Sequence, residues 1–226
     1  MWTRPIPDER GATGLAALVR NRTLSPEAAA VLWTAAAEER SFVVMAMPRL
    51  AGKTTLMRST LACAPGGTPL HEFAGGRREA EALVGARRRG YLVVAEVSPD
   101  FMPGYLWGEP ARRAFELVGS GFALATTMHA RGVGECFAIL CRHNRVPDRL
   151  AAGVQLTAHI EVVPPWWDPR RRVVDAIHEV EGVEGGRPRA RLLHRWDAAA
   201  DRFELVDLPR GFGSAASVRD RAALLA

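Results

Sequence analysis

The sequence has little sulfur, almost no lysine and no long greasy run. Cys63, Cys136 and Cys141 are odd in number and show no C-x-x-C spacing. That argues against a disulfide framework or a zinc site and points to a reduced compartment. No apolar run approaches the roughly 18 residues that a membrane span needs. Residues 1–10 include Arg4, Asp8, Glu9 and Arg10, which do not suit a secretory leader. A cytoplasmic location follows as the expectation. Lysine is scarcer still. Of the 30 basic residues, Lys53 alone is lysine and the other 29 are arginine.

The charge balance of 30 basic against 25 acidic residues gives a formal net charge of +5. Arginines cluster at Arg77 and Arg78, Arg87 to Arg89, and Arg170 to Arg172. Such clusters suit phosphate, acidic partners, a membrane surface or simple solvation, and do not choose among them. No helix-turn-helix, zinc or base-stacking signature accompanies them, so no specific nucleic-acid partner is expected.

The chain alternates over about residues 40–150. "SFVVMAM", "YLVVAEV" and "GFALATTMHA" are continuous apolar runs, as strands buried on both faces are. "TLSPEAAAVLWTAAAEER", "GKTTLMRSTLACA", "RREAEALVGARRR", "ARRAFELVGS" and "GVGECFAILCRHN" read as helices. Ser25 is a good N-cap, with Pro26 at the first helical position and Glu27 at the positive end of the dipole. "TPLHEF" reads as a short strand and "SPDFMPGYLWGEP" as a loop. Beyond Pro147, four strand-like stretches and a last helix follow. The expected organisation is an N-terminal segment 1–40 with one helix, an α/β core 41–150, and a strand-rich extension 151–226 of the same domain. Trp166 and Trp167 read as cover for a sheet edge.

"MPRLAGKTT", residues 47–55, joins the first apolar strand to a helix. It matches the phosphate-loop pattern G-x-x-x-x-G-K-[ST] except that Met47 replaces the first glycine. In such a loop the amides of Pro48, Arg49, Leu50, Ala51, Gly52, Lys53, Thr54 and Thr55 form the segment around the phosphates, proline lacking the N–H. Lys53 would reach the β- and γ-phosphates, and Thr54 would hold Mg²⁺. An arginine-committed sequence that keeps its one lysine here supports a site needing an ammonium point charge. Glu96 ends one strand and His129 the next. In parallel sheets ligands gather at the carboxyl ends of strands. A carboxylate there can polarise water, and a histidine there can contact a phosphate.

These segments together resemble the motor ATPases of type II and type IV secretion, type IV pili and tight-adherence pili, the last most closely. "TLSPEAAAVLWTAAAEERSFVVMAMPRLAGKTTLM" is similar to the helix, strand and Walker A segment of that branch. "ARRRGYLVVAEV" is similar to its Walker B strand, and "GSGFALATTMHARGVGECFAIL" to its histidine box. "LTAHIEVV" and "RRVVDAIHEVEGVEG" resemble the strands that follow, so the likeness spans about residues 20–207. The resemblance implies an α/β, RecA-like P-loop NTPase core, ATP and Mg²⁺ as cofactors, a homo-hexamer, and an inner-membrane platform protein as partner. It implies that Glu96 is the Walker B carboxylate, that His129 is the histidine-box residue, and that Glu72 stands near the acidic box.

The sequence also departs from that pattern. Met47 and Ala95 replace glycines, and "VSPD" follows Glu96 where the family has Arg-Asp. Eighteen residues separate Glu72 from Tyr91 (91 − 72 − 1), fewer than the family has. A separate N-terminal domain is not expected. Activating arginines are unassigned, with Arg77, Arg78 and Arg131 as candidates. A non-catalytic or regulatory paralogue is the alternative to a working ATPase.

Overall fold

The computed structural model describes residues 10–85, 89–164 and 171–226. Arg87, Arg88, Trp166, Trp167 and Arg170 lie outside the described residues. One open sheet runs through the chain in the order β2-β3-β5-β1-β6-β7-β8-β9, with β4 paired to β3. Its strands are β1 (Phe42–Met45), β2 (Leu70–Glu72), β3 (Tyr91–Val97), β4 (Tyr105–Leu106), β5 (Ala123–Met128), β6 (Leu156–Val163), β7 (Arg171–Glu184), β8 (Arg187–Asp197) and β9 (Arg202–Leu205). Pairing is parallel from β2 through β6 and antiparallel from β6 to β9.

Two cores lie on opposite faces of this sheet. Phe42, Val44 and Ala46 meet helices α1 (Arg10–Arg20), α2 (Pro26–Ala37), α3 (Lys53–Leu61) and α8 (Ala215–Leu225). Val43 and Met45 meet α4 (Arg77–Val84), α5 (Glu109–Gly119), α6 (Val133–Ala138) and α7 (Asp148–Ala151). Every residue of β1 is buried, which is why "SFVVMAM" has no polar alternation. A π-helical turn, Ile139–His143, extends α6.

Two stretches fold differently from their sequence reading. The N-terminal segment, expected to hold one helix, holds two, because residues 10–20 form α1 ahead of α2. Gly14 marks the close approach of α1 to α3: a Cβ there would meet Ser59 Oγ at 2.8 Å and Ser59 Cβ at 3.1 Å, so a larger residue would have to displace the serine side chain. Within "SPDFMPGYLWGEP", read as a loop, Tyr105 and Leu106 pair in parallel with Glu96 and Val97.

Ser25 caps α2 as its sequence suggests, its Oγ accepting from the Ala28 amide at 3.1 Å. Ser25→Ala is expected to lower unfolding free energy by about 1 kcal/mol in a denaturant titration. At the other end, buried Glu179 accepts from the Arg210 and Gly211 amides and from Arg191. This fastens the chain leading to α8 back onto β7.

Candidate functional site

The parallel order β3-β5-β1 sets the carboxyl ends of three strands side by side. β1 runs into the loop 46–52 and then α3. β3 carries Glu96, and β5 is followed directly by His129. Leu50 and Gly52 both adopt the left-handed conformation, with φ of 61° and 94°. Glycine takes it freely and leucine does not. Ala51 between them is buried, and the Leu50 side chain is 89% exposed.

Lys53 opens α3 and turns inward. Its Nζ lies 3.5 Å from Glu96 Oε2 and 3.1 Å from His129 Nε2. His129 Nε2 is 3.1 Å from Glu96 Oε1. His129 Nδ1 lies 2.7 Å from the Met47 carbonyl, which can only accept, so this nitrogen carries the proton. In the neutral ring Nε2 is then an acceptor facing Lys53. Thr127 Oγ1 donates to the Ala95 carbonyl at 2.9 Å and lies 3.2 Å from Glu96 Oε2. Lys53 and Glu96 are almost fully buried, whereas the His129 side chain is 28% exposed.

Burial lowers the Lys53 amine below the usual lysine range, against the pull of Glu96, and Arg49 adds to the lowering. Glu96 Oε1 is a buried acceptor without a well-formed hydrogen bond. Thr54 and Thr55 occupy the first turn of α3 and face solvent. Arg49 pairs with Asp100 across the loop, and Arg172 Nε donates to the Leu50 carbonyl at 3.0 Å. Pro48 is partly buried and Met47 is 40% exposed.

Glu72 is not brought to this cluster. It lies exposed on β2, opposite Val93, on the far side of β3 from β5 and β1. Arg77 approaches Glu109 at 3.8 Å, and Arg131 pairs with Glu135 at 3.6 Å. Among the described residues none of Arg77, Arg78 and Arg131 bonds to Lys53, Glu96 or His129. Sequence reasoning missed Thr127 as a partner of Glu96, Asp100 as a partner of Arg49, and Arg172. The first two were legible only as polar residues beside a strand end. The last comes from a strand more than a hundred residues away in the chain.

No family model matches the chain, and no curated protein matches it. Among solved structures, the VirB11 ATPase from the Brucella suis type IV secretion system, in complex with sulphate, is similar with a TM-score of 0.50 and 19% identity. The fold is that of a VirB11-like, RecA-type domain. The match covers 74% of this chain and 55% of that one, so the chain spans little more than half of that protein. The α/β core and the strand-rich C-terminal part expected above are thus the observed architecture, and the structure adds that the latter strands pair antiparallel.

A second polar cluster lies one strand further on. His159 of β6 sits level with Met45 of β1. Its Nδ1 is 2.6 Å from Asp175, the residue left over at a β7 bulge. Burial lowers the His159 pKa, but the hydrogen bond and charge of Asp175 outweigh it and the net shift is upward. His159, Glu161 and Asp175 hold ligand-type atoms within 4.8 Å of one another. The His159–Asp175 bond accounts for that closeness without an ion.

Proposed function

We propose that this chain is a nucleotide-binding ATPase subunit of a secretion or type IV/tight-adherence pilus motor. The observation that supports it most is the meeting of Lys53, Glu96 and His129 at 3.1–3.5 Å beside a left-handed loop at a helix start. The residues suit ATP and Mg²⁺. Gly52 has open space where a side chain would stand, with Arg172 Cδ as the one neighbour, at 3.6 Å. The first-turn threonines face outward, and the buried Glu96 Oε1 accepts no hydrogen bond. The loop from Pro48 to Thr55 would hold the phosphates through its amides, with Lys53 as their counter-charge. Thr54, with Glu96 behind it, would hold Mg²⁺, which when bound neutralises charge on the phosphates.

In this reading Glu96 takes a proton from the attacking water. Thr127, whose hydroxyl lies within reach of both the Ala95 carbonyl and Glu96 Oε2, can turn its proton to the carboxylate and orient it. His129, hung from the Met47 carbonyl, turns Nε2, an acceptor in the neutral ring, toward the Lys53 ammonium that would serve the terminal phosphate. The hexameric ring, the inner-membrane platform protein and the cytoplasmic location belong to the same proposal. They rest on the fold likeness and the sequence resemblance. No helix among the described residues is long and apolar enough to cross a membrane.

The test is a calorimetric titration with ATP and Mg²⁺ together with a phosphate-release assay, using Lys53→Ala as the control for contaminating activity. Heat of binding and lysine-dependent phosphate release are expected. Neither signal from the wild-type chain would remove the proposal. Met47 at the loop entrance and the Lys53–Glu96 pair support a second reading, nucleotide binding without turnover. Saturable binding with no phosphate release selects it.

A further inference from the structure

The loop is touched from the antiparallel half of the sheet. Arg172, near the start of β7, donates from Nε to the Leu50 carbonyl at 3.0 Å. Its Cδ lies 3.6 Å from the point where a Gly52 Cβ would stand. It therefore meets both left-handed residues of the loop, Leu50 and Gly52. Leu50 points its side chain into solvent, so side-chain burial does not hold its unfavourable backbone angle. The bond from Arg172 to its carbonyl is a contact that can.

That bond uses only one edge of the guanidinium. Among the described residues Arg172 makes no other hydrogen bond or ion pair, and its two terminal amino groups are without partners. Its neighbour Arg171 is spent on Asp201, with which it forms two hydrogen bonds. The other cations at the loop are neutralised: Lys53 by Glu96 and Arg49 by Asp100. Among the described residues, Arg172 is thus a cation at the loop that faces no carboxylate. A guanidinium held by one nitrogen and open at two is preorganised for a phosphate oxygen pair.

We infer that Arg172 is a phosphate-binding residue: it fixes the loop through Leu50 and offers its terminal amino groups to the phosphate chain of a bound nucleotide. This rests on the nucleotide reading of the site. It carries recognition of a ligand on the parallel strands into the antiparallel strands.

The experiment titrates ATP with Mg²⁺ into the full chain and its Arg172→Ala, Arg172→Gln and Arg172→Lys variants, with thermal melts confirming that each folds. Ala and Gln are expected to weaken ATP affinity about tenfold or more, the scale of a charged hydrogen bond. Lys, which keeps the charge but cannot brace Leu50 and present two further amino groups at once, is expected to fall between Ala and wild type. Wherever turnover is measurable, KM should rise while kcat stays within about twofold, as for loss of uniform binding. Two outcomes overturn the inference while leaving the site intact, provided Lys53→Ala still abolishes binding. One is an Ala variant that binds ATP like wild type. The other is a Gln variant that restores affinity, which would make Arg172 a neutral brace for the Leu50 carbonyl. A wild-type chain that binds no ATP overturns the nucleotide reading and this inference together.

Discussion

Glu96→Gln is expected to separate binding from turnover, raising ATP affinity while suppressing hydrolysis. In the resting site Lys53 is committed to Glu96 at 3.5 Å, with both side chains nearly buried. A nucleotide must draw the ammonium away from that partner. Neutralising the carboxylate leaves a buried cation unpaired, which costs the free protein about 3–5 kcal/mol when a partner is lost outright and less when an amide remains. An incoming phosphate supplies the missing charge. Affinity for ATP should therefore rise by about tenfold or more, equivalent to about 1.4 kcal/mol. Phosphate release should fall by about 10²–10⁴-fold through loss of a general base. The free variant should melt at a lower temperature than wild type and recover more on adding ATP. Lys53→Ala acts on the same pair in the opposite sense. It leaves Glu96 buried against the incoming phosphates, and ATP affinity is expected to fall by about 10²-fold or more, about 2.7 kcal/mol. Equal affinities in wild type, Glu96→Gln and Lys53→Ala would show that the ion pair does not lie at a nucleotide site.

The second large effect concerns stability, and it arises far from the loop. His194 of β8 is fully buried, stacks on Phe203 with ring centroids 5.5 Å apart, and has no well-formed hydrogen bond at either ring nitrogen. Burial pushes its pKa down from 6.5 to about 4. In the unfolded chain the ring takes up a proton near pH 6.5, whereas in the folded chain it stays neutral until near pH 4. Unfolding therefore binds a proton across that window, and stability falls as pH is lowered through it. A shift of this size corresponds to about 3 kcal/mol, lost progressively between pH 6.5 and 4. His178 shifts in the same downward direction, and His159 shifts upward, so its contribution has the opposite sign. The informative quantity is thus the difference between wild type and His194→Leu in denaturant titrations at pH 7 and pH 4.5. The variant should lose markedly less stability on acidification. Matching pH profiles would mean that this imidazole is hydrated in the folded chain.

The parts of the molecule that rest on local rules were legible in the sequence. β1 and β3 are continuous apolar runs because both faces of the sheet are covered by helices. α2 begins at a serine cap followed by proline. The single lysine marked the loop, and Glu96 and His129 stood at strand ends. What could not be read depends on long-range geometry. α1 contains glycines that weaken a helix in isolation, and it is held by packing of Leu15 into the core and by the close approach at Gly14. β4 is two residues between prolines and glycines, and it pairs because β3 continues past the neighbouring edge strand. The contact of Arg172 with Leu50 needs β7 to return antiparallel beside β6. The pairing of Asp175 with His159 needs a bulge that no residue of β7 announces. Glu72 shows the converse, since a carboxylate at a strand end in the sequence lies at a remote border of the sheet.

The outermost strands of that sheet are short, although β8 runs on past β9 over residues 187–193. One side ends in three residues, Leu70–Glu72, with the two-residue β4 covering the next part of β3. The other ends in four, Arg202–Leu205, of which Arg202 and Glu204 carry charge and are engaged with each other and with Arg195. An approaching strand would find few free amides and would have to strip water and ion pairs to reach them. Growth of so broad an open sheet into fibres is thereby disfavoured at β2 and β9, and an edge-to-edge approach is left to the part of β8 beyond β9.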